Sequence, residues 1–168
     1  MSPALDELSL RFAIHARTSP IDALDIGCGD GVATAAAIAR GGHVLAVDPD
    51  AKALRQLVAR IPHDQLPRLK VRVASLPALD FKFARFSAVH ASRVLHLLDP
   101  DVAQGSLRKF FRWLYPTGKL FISTPAWDET ELRMQLESAG FIVETLKCYP
   151  LPWDGEQMCF GVVARCAS

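Results

Sequence analysis

The sequence lacks any bias of charge. Its 168 residues carry 19 lysines and arginines against 18 aspartates and glutamates. The halves match too: ten basic and nine acidic side chains in residues 1–84, nine of each in the remainder. Such a balance gives no general field that would steer the chain to an anionic polymer or surface. A membrane partner is not expected, and nucleic acid is not indicated, though the balance does not rule it out. The four cysteines, Cys28, Cys148, Cys159 and Cys166, form no C-x-x-C pair and no Cys/His spacing suited to zinc. No metal site is expected, and the natural setting is a reduced, cytoplasmic one. No run of about 18 apolar residues occurs, so no membrane-spanning segment is expected. The first residues lack a basic region followed by an apolar run, so no signal peptide is expected either. Repeats, linkers and low-complexity stretches are also missing, which leaves 1–168 as a single domain.

What is present is alternation. Half of the residues are apolar, and strand-like apolar runs alternate with segments of helical periodicity. That pattern predicts a parallel sheet covered on both faces, a three-layer α/β fold. Leu5, Leu8, Phe12 and His15/Ala16 repeat at helical spacing ahead of Pro20. Strands are expected over 21–27, 43–48, 69–74, 86–91 and 119–123, and helices over 31–40, 51–61, 100–115 and 129–138. Gly41-Gly42 stops the second helix and Asp50 caps the third. Pro116-Thr117-Gly118 is expected to turn the chain into the fifth strand. The last two strands, 141–149 and 158–166, flank a turn at 150–155, so they form a hairpin and one of them runs antiparallel. Arg68, Lys70 and Arg72 alternate along the third strand, and Arg108 and Arg112 share a helix face; both groups read as solvated surface.

The densest information lies at Leu24-Asp25-Ile26-Gly27-Cys28-Gly29-Asp30-Gly31 and at Val44-Leu45-Ala46-Val47-Asp48. The first is a strand entering a glycine-rich turn that opens a helix. Glycines at alternate positions allow a tight turn and a close approach of a ligand to the backbone. The second strand ends in a carboxylate 23 residues after Asp25, where a nucleotide-binding βαβ unit places the acid that meets a ribose diol. A dinucleotide fingerprint would have glycine at position 32, where Val32 stands. Asp25 and Asp30 flank the turn, and their charge would repel a pyrophosphate and attract a cationic amino-acid moiety.

This pattern resembles motif I of the class I S-adenosylmethionine (SAM)-dependent methyltransferases, and the resemblance extends from about Ile21 to the last strand. It implies a Rossmann-like three-layer sandwich, with a mostly parallel seven-stranded sheet and a C-terminal antiparallel hairpin strand. It also implies SAM as cofactor and methyl transfer as activity. On this reading Asp25 lies near the methionine amino group, directly or through water. Gly27, Cys28, Gly29 and Gly31 form the turn, with Cys28 supplying a small apolar side chain rather than redox chemistry. Asp48 binds the ribose hydroxyls, and Pro49 and Asp50 lie beside the adenine. After strand three the family commonly places an acid for the adenine amino group. Here Ala74-Ser75-Leu76 stands instead, so Ser75 or a backbone carbonyl must serve, with Leu76 beside it.

After strand four, His90-Ala91-Ser92-Arg93-Val94-Leu95-His96-Leu97 resembles the L-H-H-L segment of some family members, not the N-P-P-Y type that grips a planar amide. His90, Ser92 and Arg93 are expected where the methyl group emerges, at the carboxyl edge of the sheet. His96 is the candidate general base because imidazole titrates near neutrality; the alternative is a packing or helix-capping histidine. His15 or Arg17 is a candidate for the methionine carboxylate, with a surface role as the alternative. Little sequence precedes strand one and no insertion follows strand five. The acceptor face is therefore expected to be open, suiting a bulky substrate or a partner protein that covers it. Two rivals remain: a module of the same fold that binds SAM without turnover, and an NAD-dependent reductase, which Val32 and Asp30 disfavour.

Overall fold

The computed structural model describes residues 5–125, 127–151 and 154–167. Its elements are α1 (Glu7–Arg17), β1 (Ala23–Ile26), α2 (Val32–Ala39), β2 (Val44–Asp48), α3 (Ala51–Arg60), β3 (Leu69–Val73), β4 (Phe86–Ser92), α4 (Pro100–Trp113), β5 (Leu114–Pro125), α5 (Glu129–Ser138), β6 (Phe141–Leu151) and β7 (Asp154–Cys166). The strands form one sheet in the order β3-β2-β1-β4-β5-β7-β6. β1 to β5 are mutually parallel, and β7 runs antiparallel to both β5 and β6. The expected hairpin is therefore present, with β7 as the reversed strand. Pro152 and Trp153, part of the expected turn, lie outside the described residues.

Alternate residues of the central strands divide by size. Leu24, Ile26, Leu45, Val47 and Val89 face the layer of α4 and α5, whose Leu107, Phe110, Trp113, Leu132 and Leu136 complete that core. Ala23, Ala46 and Ala88 face α1, α2 and α3, and the small residues Ala33 and Ala37 of α2 pack in the same core. Small side chains on both surfaces bring α2 close to the sheet, which fixes the glycine turn that precedes it. Asp6 caps α1 by accepting from the Ser9 amide at 2.7 Å, and Asp50 caps α3 by accepting from the Lys52 amide at 2.7 Å.

Three features depart from the sequence expectations. The fifth strand begins at Leu114 and takes in Pro116-Thr117-Gly118 as an irregularity, where the register with β4 shifts between Phe86 and Ala88. A Cβ at Gly118 would stand 2.9 Å from the Tyr115 carbonyl oxygen, so the irregularity needs glycine. The third strand is an edge strand and is not covered on both faces: Val71 and Val73 are 44% and 59% exposed. Arg108 is exposed as expected, whereas Lys70, Arg72 and Arg112 are engaged. Lys70 pairs with Asp22 at 2.7 Å, Arg72 lies 5.5 Å over the Phe81 ring, and Arg112 lies 5.2 Å over Phe83 and 3.4 Å from Asp80.

The turn after β1 carries three consecutive alternate glycines at positive φ: Gly27 (63°), Gly29 (54°) and Gly31 (76°). They differ in what a side chain would meet. A Cβ at Gly31 would fall 2.3 Å from Leu57 Cδ1, whereas one at Gly29 would meet nothing within 4 Å. Both Ala substitutions incur the left-handed backbone penalty of about 1–2 kcal/mol. Only Gly31→Ala also displaces a buried leucine, so urea denaturation is expected to show it as the more destabilised variant by at least about 1 kcal/mol. Equal losses would mean that Leu57 yields freely.

At the far end of α1, His15 Nε2 donates to the Ser87 carbonyl at 3.1 Å. Burial lowers its pKa, outweighing the opposing effect of that hydrogen bond. The folded state therefore keeps His15 neutral to lower pH than the unfolded chain does. Its contribution to stability is present above about pH 6.5 and is lost as pH falls through the folded value. The urea midpoint is expected to drop between pH 7.5 and 5.5, with a shallower slope in His15→Gln; identical slopes would assign the pH dependence to other groups.

Candidate functional site

The carboxyl ends of β1 and β4 open on a cleft of about 150 Å³ lined by Asp25, Gly27, Cys28, Gly29 and Asp30 from the turn, His90, Ser92 and Arg93 from β4 and its end, and Leu5, Asp6 and Ser9 from the start of α1. At its base Asp25 is 1% exposed. Its Oδ2 accepts from Thr34 Oγ1 at 2.6 Å, and its Oδ1 meets His90 Nδ1 at 2.8 Å. His90, 2% exposed, stacks on Phe12 with ring centroids 4.7 Å apart, and its Nε2 lies 3.3 Å from Ser9 Oγ. The Ser9 hydroxyl is also 3.1 Å from Asp6 Oδ2. A buried polar chain thus runs Thr34–Asp25–His90–Ser9–Asp6 beneath the cleft.

Asp48 anchors the turn from the neighbouring strand. Its Oδ2 accepts from the Gly29 amide at 2.9 Å and its Oδ1 from the Asp50 amide at 2.8 Å. One carboxylate therefore fixes both the glycine turn and the entry to α3. Pro49, Ser75 and Leu76 stand at the carboxyl ends of β2 and β3, beyond the lining of the cleft; Pro49 and Ser75 are exposed and Leu76 is buried. The Ala74 amide donates to the Asp48 carbonyl at 3.2 Å, which draws the Ser75 segment toward the same edge. Burial pushes the Cys28 thiol up, and the charges of Asp25 and Asp48 push it further. The thiol stays protonated and unreactive, in keeping with a packing role in the turn.

Other expected residues are placed apart from this cleft. His96 faces a separate recess with Leu98, Pro100, Ala103, Trp127, Glu131 and Gln135. Burial, and next the charge of Arg93, lower its pKa, and its Nδ1 is buried without a hydrogen-bond partner among the described residues. This placement fits the packing alternative better than the general-base one. His15 and Arg17 belong to the opposite end of α1: His15 bonds Ser87 at the start of β4, and Arg17 is exposed. The helix brings its first turn, not its last, to the cleft. β5 ends at Pro125 and α5 begins at Glu129, so no element is inserted there.

Sequence reasoning missed Asp6, Ser9, Thr34 and Tyr149. Thr34 was detectable as the one polar residue in an alanine-rich helix, nine positions after Asp25. Tyr149 on β6 lies over Gly161 of β7, where a Cβ would stand 2.8 Å from its Cε1. Burial pushes its phenol's pKa up. Ser123 Oγ on β5 is 2.8 Å from Ser92 Oγ in the wall of the cleft.

Solved structures of known proteins share this architecture. A Burkholderia thailandensis 1,6-didemethyltoxoflavin-N1-methyltransferase, with S-adenosylhomocysteine and 1,6-didemethyltoxoflavin bound, is 25% identical with a TM-score of 0.78, covering 97% of this chain and 80% of that one. A SAM-dependent methyltransferase from Mesorhizobium loti is 19% identical with a TM-score of 0.78, covering 97% and 98%. The N-methyltransferase NodS from Bradyrhizobium japonicum, bound to S-adenosylhomocysteine, is 15% identical with a TM-score of 0.75, covering 96% and 87%. Among proteins of curated function, none matches the sequence. The profile of the methyltransferase-domain family matches residues 23–118, which is more than half of the chain. With its acid-flanked glycine turn at the edge of this sheet, the chain belongs to the class I SAM-dependent methyltransferases.

Proposed function

We propose that the turn and the strand ends around it form the SAM site of this methyltransferase, with Asp25, Gly27, Cys28, Gly29, Gly31 and His90 at the methionine end and Asp48, Pro49, Ser75 and Leu76 at the adenosine end. The observation that carries this is the empty space above Gly29. A Cβ there would meet nothing within 4 Å, while Asp48 holds the same residue's amide from below. The loop is thus shaped as a cradle, with its donors and acids committed to fixing it. The donor set suits the ligand's chemistry. Asp25 and Asp30 favour a cationic amino-acid moiety over a pyrophosphate. Each Asp48 oxygen accepts one backbone bond and keeps a further lone pair for a diol. SAM supplies a methyl group already activated by its sulfonium leaving group; the protein's part is to hold donor and acceptor in line.

No helix among the described residues is long and apolar enough to cross a membrane. The four cysteines are free, which supports a reducing, cytoplasmic setting.

Calorimetry with S-adenosylhomocysteine and NAD tests this site. S-adenosylhomocysteine is expected to bind with 1:1 stoichiometry and NAD not at all. Asp48→Ala removes hydrogen bonds worth about 1.5–3 kcal/mol, so it is expected to weaken binding by roughly tenfold to a hundredfold. It also frees two backbone donors, so Asp48→Asn, which retains an acceptor, is the control for folding. Unchanged affinity in the Ala variant would remove Asp48 from the ribose site.

A further inference from the structure

We propose that a second cleft, between α1 and the β6–β7 hairpin, takes the methyl acceptor, and that the acceptor is an amine carried on a flat apolar skeleton, with Asp6 as its charge partner. This rests on the cofactor site proposed above, because the two clefts meet at one residue. The second cleft measures about 280 Å³, and Asp6 belongs to the lining of both. That volume is at the small end for ligand pockets and suits one or two fused rings.

Its inner walls are apolar: Leu8 from α1, Gly161 and Val163 from β7, and the ring of Tyr149. Gly161 matters because any side chain there would collide with Tyr149 and push the ring into the space. The charged side chains at the rim have polar partners. Glu7 pairs with Lys147 at 3.2 Å, and Arg11 donates to Thr145 at 3.3 Å. Asp6 is different. Among the described residues its carboxylate accepts only from Ser9, through the amide and the hydroxyl. None of the ion pairs among the described residues includes it.

The exposed amides of a helix N-terminus favour negative charge beside them, and about two of the four acceptor positions of this carboxylate remain open. An ammonium on an apolar body would meet this charge at the junction with the cofactor cleft. A carboxylate on the same body would be repelled. A nitrogen acceptor also agrees with the structural neighbours above whose names specify N-methylation.

The test uses two probes with one ring system and opposite charge, 1-naphthylmethylamine and 1-naphthylacetate. Each is titrated calorimetrically into the full chain saturated with S-adenosylhomocysteine. The amine is expected to bind at least tenfold more tightly than the acetate. Asp6→Asn, which keeps the helix cap, is expected to lower amine affinity by tenfold or more. Thr145→Phe, which fills the cleft away from the cofactor, is expected to abolish amine binding while leaving S-adenosylhomocysteine affinity within threefold. The proposal is overturned if amine and acetate bind alike, if neither binds to the saturated protein, or if Asp6→Asn leaves amine affinity unchanged. Failure of S-adenosylhomocysteine itself to bind overturns the cofactor site instead. Titration of both probes into the chain alone then decides the second cleft by the same criteria.

Discussion

Asp25 is the constraint on which the rest of the site depends. A carboxylate this deeply buried is tolerated only when its oxygens are bonded, and its two partners come from different layers. Thr34 ties it to α2 and His90 ties it to β4. His90 carries the tie onward, stacking on Phe12 and reaching Ser9, both on α1. One side chain on the central strand therefore binds two helices and a neighbouring strand at the carboxyl edge of the sheet. Removing a partner from such a pair typically costs about 3–5 kcal/mol, a large share of the 5–15 kcal/mol that holds a domain together. The same geometry leaves Asp25 little surface for a ligand, so its influence on a bound cation acts mainly through its field and through His90.

Hydrogen accounting links this base to the α1 terminus. The Ser9 hydroxyl has one hydrogen and two neighbours, His90 Nε2 and Asp6 Oδ2. If it donates to Asp6, His90 must donate to it; if it donates to His90, Asp6 keeps only the amide of Ser9. Charge arriving beside Asp6 and charge arriving beside Asp25 act on the two ends of one hydrogen-bonded run. That gives the first turn of α1 a part in the site that a surface helix would not have.

Local chemistry was legible in the sequence; what depends on long-range register was not. The glycine turn, Asp48 and the helix caps are set by residues a few positions apart, and their placement follows from the alternation of strands and helices. The hairpin was legible for the same reason. Tyr149 was not, because only the antiparallel register of β6 on β7 sets its ring over Gly161. Asp6 and Ser9 went unnoticed because nothing local shows that α1 enters the cleft by its first turn. His96 was read as a base or as a packing residue. Imidazole chemistry alone could not choose between them; the short turn Leu95–Leu97 directs it to a recess by α4 and α5. The Pro-Thr-Gly segment looked like a turn, and it is absorbed into β5 because a parallel neighbour pairs on either side of it.

The loops after β1 and β4 are also interlocked, which explains an otherwise costly conformation. Arg93 has φ of 55°, a region that disfavours side chains by about 1–2 kcal/mol. Its amide donates to the Ser123 carbonyl at 2.7 Å, closing β4 against β5 at the cleft. The turn it creates delivers Val94 onto Gly27, where a Cβ would stand 2.5 Å from Val94 Cγ2. Gly27 therefore serves twice, adopting positive φ in its own turn and admitting the valine of the other. A side chain at Gly27 would part the two loops, and with them the walls of the cleft. The strain at Arg93 is offset by the strand pairing and packing it makes possible, and its cost falls at the carboxyl edge, where strained backbone in proteins tends to gather around function.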